Sequence, residues 1–251
     1  MPRRETFKLF SVISIPVLAI GGVLIWMGLE QGWWRLNHPD LDRYPVWGVD
    51  VSHHQGAIDW TAAAREPHLK FAFIKATEGV DWTDPSFARN WRGARQAGFK
   101  VGAYHFFNFC RMGRAQAQNF LTVLPKTADR LPPVLDLEFS GNCVSMSSHL
   151  DVRREVEGWV KAVQSSSCQL PIVYTTREAY HAFLEKGDLK YPIWIRDVWK
   201  EPALPTPSQW SFWQFADRGH VHGISGFVDL NVFNGTERCF ELSTSVILKC
   251  Q

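Results

Sequence analysis

The sequence predicts an α/β fold, a closed barrel of eight strands with about five flanking helices, preceded by one N-terminal membrane segment. Three observations carry this reading. Beyond Trp47, short apolar runs alternate with amphipathic stretches, the pattern of strands and helices built on a parallel sheet. Those apolar runs number eight, enough for the sheet to close on itself. And Leu9 to Leu29 is an uncharged run of twenty-one residues, which at about 1.5 Å rise each crosses a hydrocarbon core about 30 Å thick.

The N-terminal run is preceded by Arg3, Arg4 and Lys8 and followed by Arg35 and Arg43, a modest charge bias toward a cytoplasmic N-terminus and an outward-facing domain. Trp26, Trp33 and Trp34 stand where an interfacial aromatic belt would. Ala19-Ile20-Gly21 offers a small-x-small cleavage signal, the alternative being secretion after cleavage. The stretch is longer than a signal peptide needs, which favours a retained anchor with the domain periplasmic or extracellular. The chain therefore divides into a signal-anchor or signal peptide over 1–30, a linker over 31–45, a barrel domain over 46–240 and a tail over 241–251.

Strands are expected at Trp47–Val51, Phe71–Ala76, Val101–Phe106, Val134–Glu138, Ile172–Tyr174, Ile193–Ile195, Phe212–Phe215 and Val228–Asn231. Helices are expected between the earlier strands, at Trp60–Arg65, Pro85–Ala97, Arg114–Leu124, His149–Val163 and Arg177–Leu184. The second is the best signed: Asp84 can cap it, Pro85 suits the first helical position, and Gly98 can turn left-handed beyond its end. After Ile195 the connections carry Pro202, Pro205 and Pro207, or Gly219, Gly223 and Gly226, without helical periodicity. The last three strands are therefore expected to lack flanking helices.

Composition narrows the function. Of 251 residues, 45% are hydrophobic and 21% charged, enough for a real core, and 27 Lys and Arg against 25 Asp and Glu leave a net charge of +2. No basic block of five residues occurs, so nucleic-acid binding has no electrostatic footprint. Twelve Trp suit either a sugar-binding groove or a large core. Cys110, Cys143, Cys168, Cys239 and Cys250 form no C-x-x-C pair and have no histidine at metal spacing, so neither a zinc module nor another metal or cofactor is expected. The odd count leaves at least one thiol out of any intramolecular pairing, and no more than one bridge is expected.

Chemistry concentrates at Pro133-Val134-Leu135-Asp136-Leu137-Glu138-Phe139. Strand alternation puts Val134, Asp136 and Glu138 on one face and Leu135 and Leu137 on the other. Two inward carboxylates near a strand's C-terminal end face the mouth where parallel barrels keep their active sites. Their repulsion and burial raise the pKa of at least one. The competing reading is a solvated strand end held by Arg or Lys. Asp50 ends the first strand and Asp229 lies in the last; closure makes those strands neighbours, so four acids share one mouth. His53 and His54 are adjacent, and His220 and His222 lie in a glycine-rich loop, which fits surface positions better than metal ligation.

Gly48-Val49-Asp50-Val51-Ser52, Phe73-Ile74-Lys75-Ala76-Thr77-Glu78-Gly79, Gly102-Ala103-Tyr104-His105-Phe106, Leu135-Asp136-Leu137-Glu138, Ile172-Val173-Tyr174, Tyr191-Pro192-Ile193-Trp194-Ile195 and Val228-Asp229-Leu230-Asn231-Val232-Phe233 resemble, in order, the motifs of glycoside hydrolase family 25. These are lysozymes of the N-acetylmuramidase type, and the resemblance covers about residues 46 to 236. It implies an irregular, TIM-like barrel of eight strands with five helices, and hydrolysis of the β-1,4 bond between N-acetylmuramic acid and N-acetylglucosamine in peptidoglycan. It implies Glu138 as general acid/base, Asp136 as the residue orienting the substrate acetamido group, Asp50 and Asp229 completing the acidic floor, and Lys75, Tyr104, Tyr174 and Trp194 shaping the sugar subsites. Where relatives usually place a small residue and an aromatic one after the Trp-Ile pair, this chain has Arg196-Asp197. The expected partners are peptidoglycan and, through the N-terminal segment, a membrane; the protein is expected to be a monomer. The alternatives are a non-catalytic, membrane-tethered glycan-binding protein, which the intact D-x-E argues against, and a scaffold, which leaves four aligned acids unexplained.

Overall fold

The computed structural model describes residues 5–35, 37–127, 129–143, 151–186, 191–204 and 210–245, with the side chains of 5–17 and 243–245 excepted. Arg3, Arg4, His149, Pro205, Pro207 and Cys250, named above, lie outside the described residues. The chain divides into two units, 1–36 and 37–251.

The first unit is a helix, α1 (Glu5–Glu30), that ends in a turn in which the amides of Trp33 and Trp34 donate to the Gly28 carbonyl. The Trp34 ring lies against Gly28, where a Cβ would come within 2.7 Å of it. Among the described residues no helix is long and apolar enough to cross a membrane, so the expected membrane segment has no support in the structure. The described side chains of α1 begin at Leu18, and Leu18, Ile20, Leu24, Ile25 and Trp26 are all more than half exposed.

The second unit is the barrel. In chain order its elements are β1 (Trp47–Val51), α2 (Trp60–Ala63), β2 (Leu69–Glu78), β3 (Trp82–Thr83), α3 (Phe87–Gln96), β4 (Lys100–Phe106), α4 (Gly113–Val123), β5 (Val134–Leu137), α5 (Val152–Ser167), β6 (Ile172–Thr176), α6 (Arg177–Ala179) running into a π turn at Tyr180–Leu184, β7 (Ile193–Arg196), β8 (Trp210–Gly219), β9 (Val228–Phe233) and α7 (Glu237–Ser245). The sheet runs β1-β9-β8-β7-β6-β5-β4-β2, and the β1–β2 pairing closes it, while β3 is a two-residue extension on the end of β2.

Seven barrel strands are parallel, but β9 is antiparallel to both β8 and β1, which corrects the expectation of an all-parallel barrel. The cause is the connection: eight residues, 220–227, carry no helix, too little chain for a parallel crossover and ample for a reversal. The first turn of α3 is also corrected. The helix starts at Phe87 with Ser86 at its cap position, so Pro85 precedes it. Asp84 still organises this end, accepting from the amides of Ser86 and His53 at 2.8 and 2.9 Å. Gly98 has φ +94° beyond the helix, as expected. No helix is described between β7 and β9, but α7 follows, in and beyond the stretch read as barrel end and tail. Its Phe240 is buried against the rings of Phe71 and Phe233.

Two apolar layers result. Inward residues, among them Phe71, Phe73, Val134, Tyr174, Trp194 and Phe212, fill the lumen, and Leu135, Leu137, Val173 and Ile195 pack outward against the helices. Aromatic rings reach the lumen centre because the strands opposite them carry glycine: a Cβ on Gly48 would sit 2.2 Å from the Phe71 ring, and one on Gly102 would sit 2.4 Å from Phe73.

Cys110 and Cys143 form a disulfide that ties the segment after β4 to the segment after β5. Cys168 is disulfide-bonded as well, its partner outside the described residues, so the expectation of at most one bridge is corrected. Spacing alone could not choose among five cysteines. Cys239 is a free, exposed thiol.

Candidate active site

Register across the parallel strands builds the site. Asp136 on β5 faces Tyr174 on β6, which faces Trp194 on β7, so three inward side chains share one rung of the ladder. Asp50 pairs directly with Asp229 because β9 runs backward, bringing its first residues to the C-terminal end of β1. Had β9 been parallel, Asp229 would have started at the opposite rim. Glu138 lies one residue beyond β5, where the strand opens.

These residues converge. A cavity of about 540 Å³ is lined by Asp50, Asp136, Glu138 and Asp229, by Tyr104, Tyr174 and Trp194, and by Arg196 and Gln214. Seven of the eight expected site residues thus meet in one place. Lys75 does not line it: its Nζ donates to Glu78 at 2.8 Å and lies 4.8 and 5.2 Å from the ring centroids of Phe106 and Trp82. Its charge still opposes the upward shifts of Asp136 and Glu138.

A chain of hydrogen bonds fixes the walls. Tyr174 donates its hydroxyl proton to Gln214 Oε1 at 2.9 Å, and Gln214 Nε2 donates to Asp50 Oδ2 at 3.0 Å. Asn231 Nδ2 donates to the same Asp50 oxygen at 2.8 Å and accepts from Trp194 Nε1, also at 2.8 Å. Asp50 is thereby the node between β1, β8 and β9. Sequence reasoning missed Gln214 and Asn231, although an amide isolated in an apolar strand, Trp213-Gln214-Phe215 or Leu230-Asn231-Val232, was the available signal.

The acids are held partly neutral. Burial raises Asp50, opposed by the two amides, and burial with the charge of Asp50 raises Asp229 well above the usual carboxylate range. Their side chains hydrogen-bond each other, so the two titrate as a pair. Burial, then the charge of Glu138, raises Asp136 strongly. Its Oδ1 is buried and has no hydrogen-bond partner among the described residues. Burial raises Glu138 to about 6 against the opposing charge of Arg196. Arg196 donates through Nη2 to Asp217 at 2.6 Å, and Asp197 binds the backbone of its own loop and pairs with Arg177. The departure at Arg196-Asp197 therefore puts a cation on the cavity wall and a structural acid behind it.

Residues 49–224 match the family model of glycosyl hydrolases family 25. The chain belongs to that family. It is 40% identical over 197 residues to the uncharacterized protein YegX of Escherichia coli strain K12, a match covering 77% of this chain and 71% of that protein. It is 32% identical over 228 residues to lysozyme M1 of Streptomyces globisporus, covering 86% and 76%. The solved structure of a family 25 glycosyl hydrolase from Bacillus anthracis matches it with a TM-score of 0.73 at 38% identity, covering 82% of this chain and 96% of that one. As a family 25 member the chain is a glycoside hydrolase with lysozyme activity.

Proposed function

We propose that this protein hydrolyses the β-1,4 bond between N-acetylmuramic acid and N-acetylglucosamine in peptidoglycan, with Glu138 as general acid/base and Asp136 as the residue that orients the substrate acetamido group. The observation that carries this is the convergence of four carboxylates on one cavity walled by Tyr104, Tyr174 and Trp194. Cleavage needs a proton delivered to the leaving oxygen and stabilisation of the cation that develops at the anomeric carbon. Glu138, titrating at about 6, is still substantially protonated in mildly acidic medium and is the acid nearest the open rim. Asp136 is deeper, and its unpartnered Oδ1 suits an amide N–H donor such as that of the acetamido group.

Substrate binding also directs the proton. The charge of Glu138 raises the proton affinity of Asp136, so the two carboxyl groups compete for a proton. An N–H donated to Asp136 favours its carboxylate form and leaves the proton on Glu138, where the leaving oxygen needs it. The oriented acetamido oxygen attacks the anomeric carbon as the bond to the leaving oxygen breaks, inverting that centre; the later attack by water inverts it again, so the net outcome is retention. Water then opens the cyclic intermediate, with Glu138 taking its proton. Asp50 and Asp229 supply negative potential beneath the cationic ring, and Tyr174 and Trp194 are held as walls by the amide chain. Lys75 acts from behind the cavity wall by moderating the charge on Asp136 and Glu138.

The compartment is part of the proposal. The uncharged run from Leu9 to Leu29, with basic residues before it, is the sequence argument for a membrane anchor and an outward-facing enzyme. Disulfides in the barrel unit fit an oxidising environment. Digestion of purified sacculi tests the activity: soluble muropeptides should appear with wild-type protein, and none with a Glu138→Gln variant.

A further inference from the structure

The catalytic cavity continues past the acids. Thr176, Glu178 and Arg196 belong to its wall and also to the wall of a second cavity of about 250 Å³. Arg177, Asp197, Trp199 and Lys200 complete this side cavity. The Asp197 carboxylate is used internally: it accepts from the amides of Trp199 and Lys200 at 3.1 and 3.2 Å and pairs with Arg177. Arg196 spends Nη2 on Asp217, and among the described residues no protein acceptor meets its Nε or Nη1. Lys200 lines the same cavity as a further cation. Trp199 beside it is 72% exposed, a large apolar surface next to two cations.

We propose that this side cavity receives the carboxylate-bearing branch of the glycan, with Arg196 and Lys200 as its anion contacts and Trp199 covering the apolar part of the branch. The inference rests on the peptidoglycan reading and adds a specificity site to it. N-acetylmuramic acid differs from N-acetylglucosamine by a lactyl ether whose carboxyl is free or extended by a peptide that carries carboxylates of its own. A branch leaving a sugar bound beside Glu138 needs a lateral exit, and the shared Arg196 wall provides one. The guanidinium of Arg196 keeps N–H donors for a carboxylate beyond the one on Asp217, and Lys200 adds a point charge. Lys200 takes no part in the proton transfer, and Arg196 touches it only through its charge, which opposes the upward shift of Glu138 and is read separately in the pH profile.

Steady-state kinetics of the full chain on three soluble glycans tests this: chains with peptide stems, chains stripped to free lactyl carboxylates, and stripped chains amidated with methylamine. Wild-type kcat/KM should be at least tenfold higher on a carboxylate-bearing glycan than on the amidated one. Arg196→Gln and Lys200→Gln should each cut that ratio severalfold, chiefly through KM, with Arg196→Lys intermediate. A preference that survives stem removal assigns the lactyl carboxylate; one lost with the stem assigns the peptide. Lys200 lines only the side cavity, so its variant gives an answer even if Arg196→Gln fails to fold. An unchanged ratio in the variants, or no wild-type preference, overturns the inference. A wild-type protein that cleaves none of the three overturns the lysozyme reading, and the inference with it.

Discussion

Glu138 and Asp136 differ by one turn of the strand ladder, and that difference divides their roles. Glu138 stands at the rim with its pKa raised to about 6, whereas Asp136 is buried with an oxygen that has no hydrogen-bond partner among the described residues. General acid catalysis typically contributes about 10²- to 10⁴-fold, so Glu138→Gln should lower kcat by roughly that factor with KM little changed. The acid must be protonated, so wild-type activity in the free enzyme should fall as pH rises through about 6. The Arg196 charge opposes the upward shift of Glu138, so Arg196→Gln should move this alkaline limb to higher pH. Asp50 has a structural part besides its place among the acids, since it accepts from Gln214 and Asn231, which tie β8 and β9 to β1. Asp50→Ala removes the one oxygen that both amides share and leaves two buried N–H donors unsatisfied, and urea unfolding should register a loss of about 1–3 kcal/mol for each. The acids were legible because strand alternation puts i and i+2 on one face. The amides were not, since their meaning depends on the pairing of β8 with β9.

Elements were legible where periodicity was strong and illegible where the chain reverses or ends. The eight barrel strands lie near their expected positions, but nothing in Val228-Asp229-Leu230 says which way the strand runs. Helix α7 follows the last strand, and among its described side chains only Phe240 is buried, so the sequence left it as barrel end and tail. Tight helix packing was equally invisible. Gly113 begins α4 with its amide donating to Glu155 Oε2 at 2.7 Å, and a Cβ there would fall 1.8 Å from the Glu155 carbonyl oxygen of α5. Gly113→Ala should therefore force the two helices apart, costing about 1–3 kcal/mol and lowering Tm in a thermal melt. The Cys110–Cys143 bridge closes a 33-residue separation, for which chain entropy implies stabilisation of about 4 kcal/mol. A Cys110→Ser, Cys143→Ser variant should melt measurably lower than wild type.

At the scale of the whole molecule, the site is stabilised least where it works. A carboxylate whose folded pKa is raised costs stability once ionised. That cost is absent below the unfolded value near 4.5 and complete above the folded value, about 6 for Glu138. The Tm advantage of Glu138→Gln over wild type should therefore grow between pH 4.5 and pH 7, and a pH-independent difference would contradict the assigned environment. In cells expressing the full chain, the proposed anchor predicts that external protease degrades the barrel once the outer layers are removed; a barrel protected until the inner membrane is broken would reverse the orientation. The central claim is narrower than either of these, namely that the four-acid cavity cuts the bond after muramic acid and that Glu138 is its acid. Mass spectrometry of a borohydride-reduced digest of sacculi tests it directly. The predicted result is reduced ends on muramic acid with wild-type protein and their loss with Glu138→Gln. Reduced ends on glucosamine, or equal muramic ends from both proteins, would contradict it.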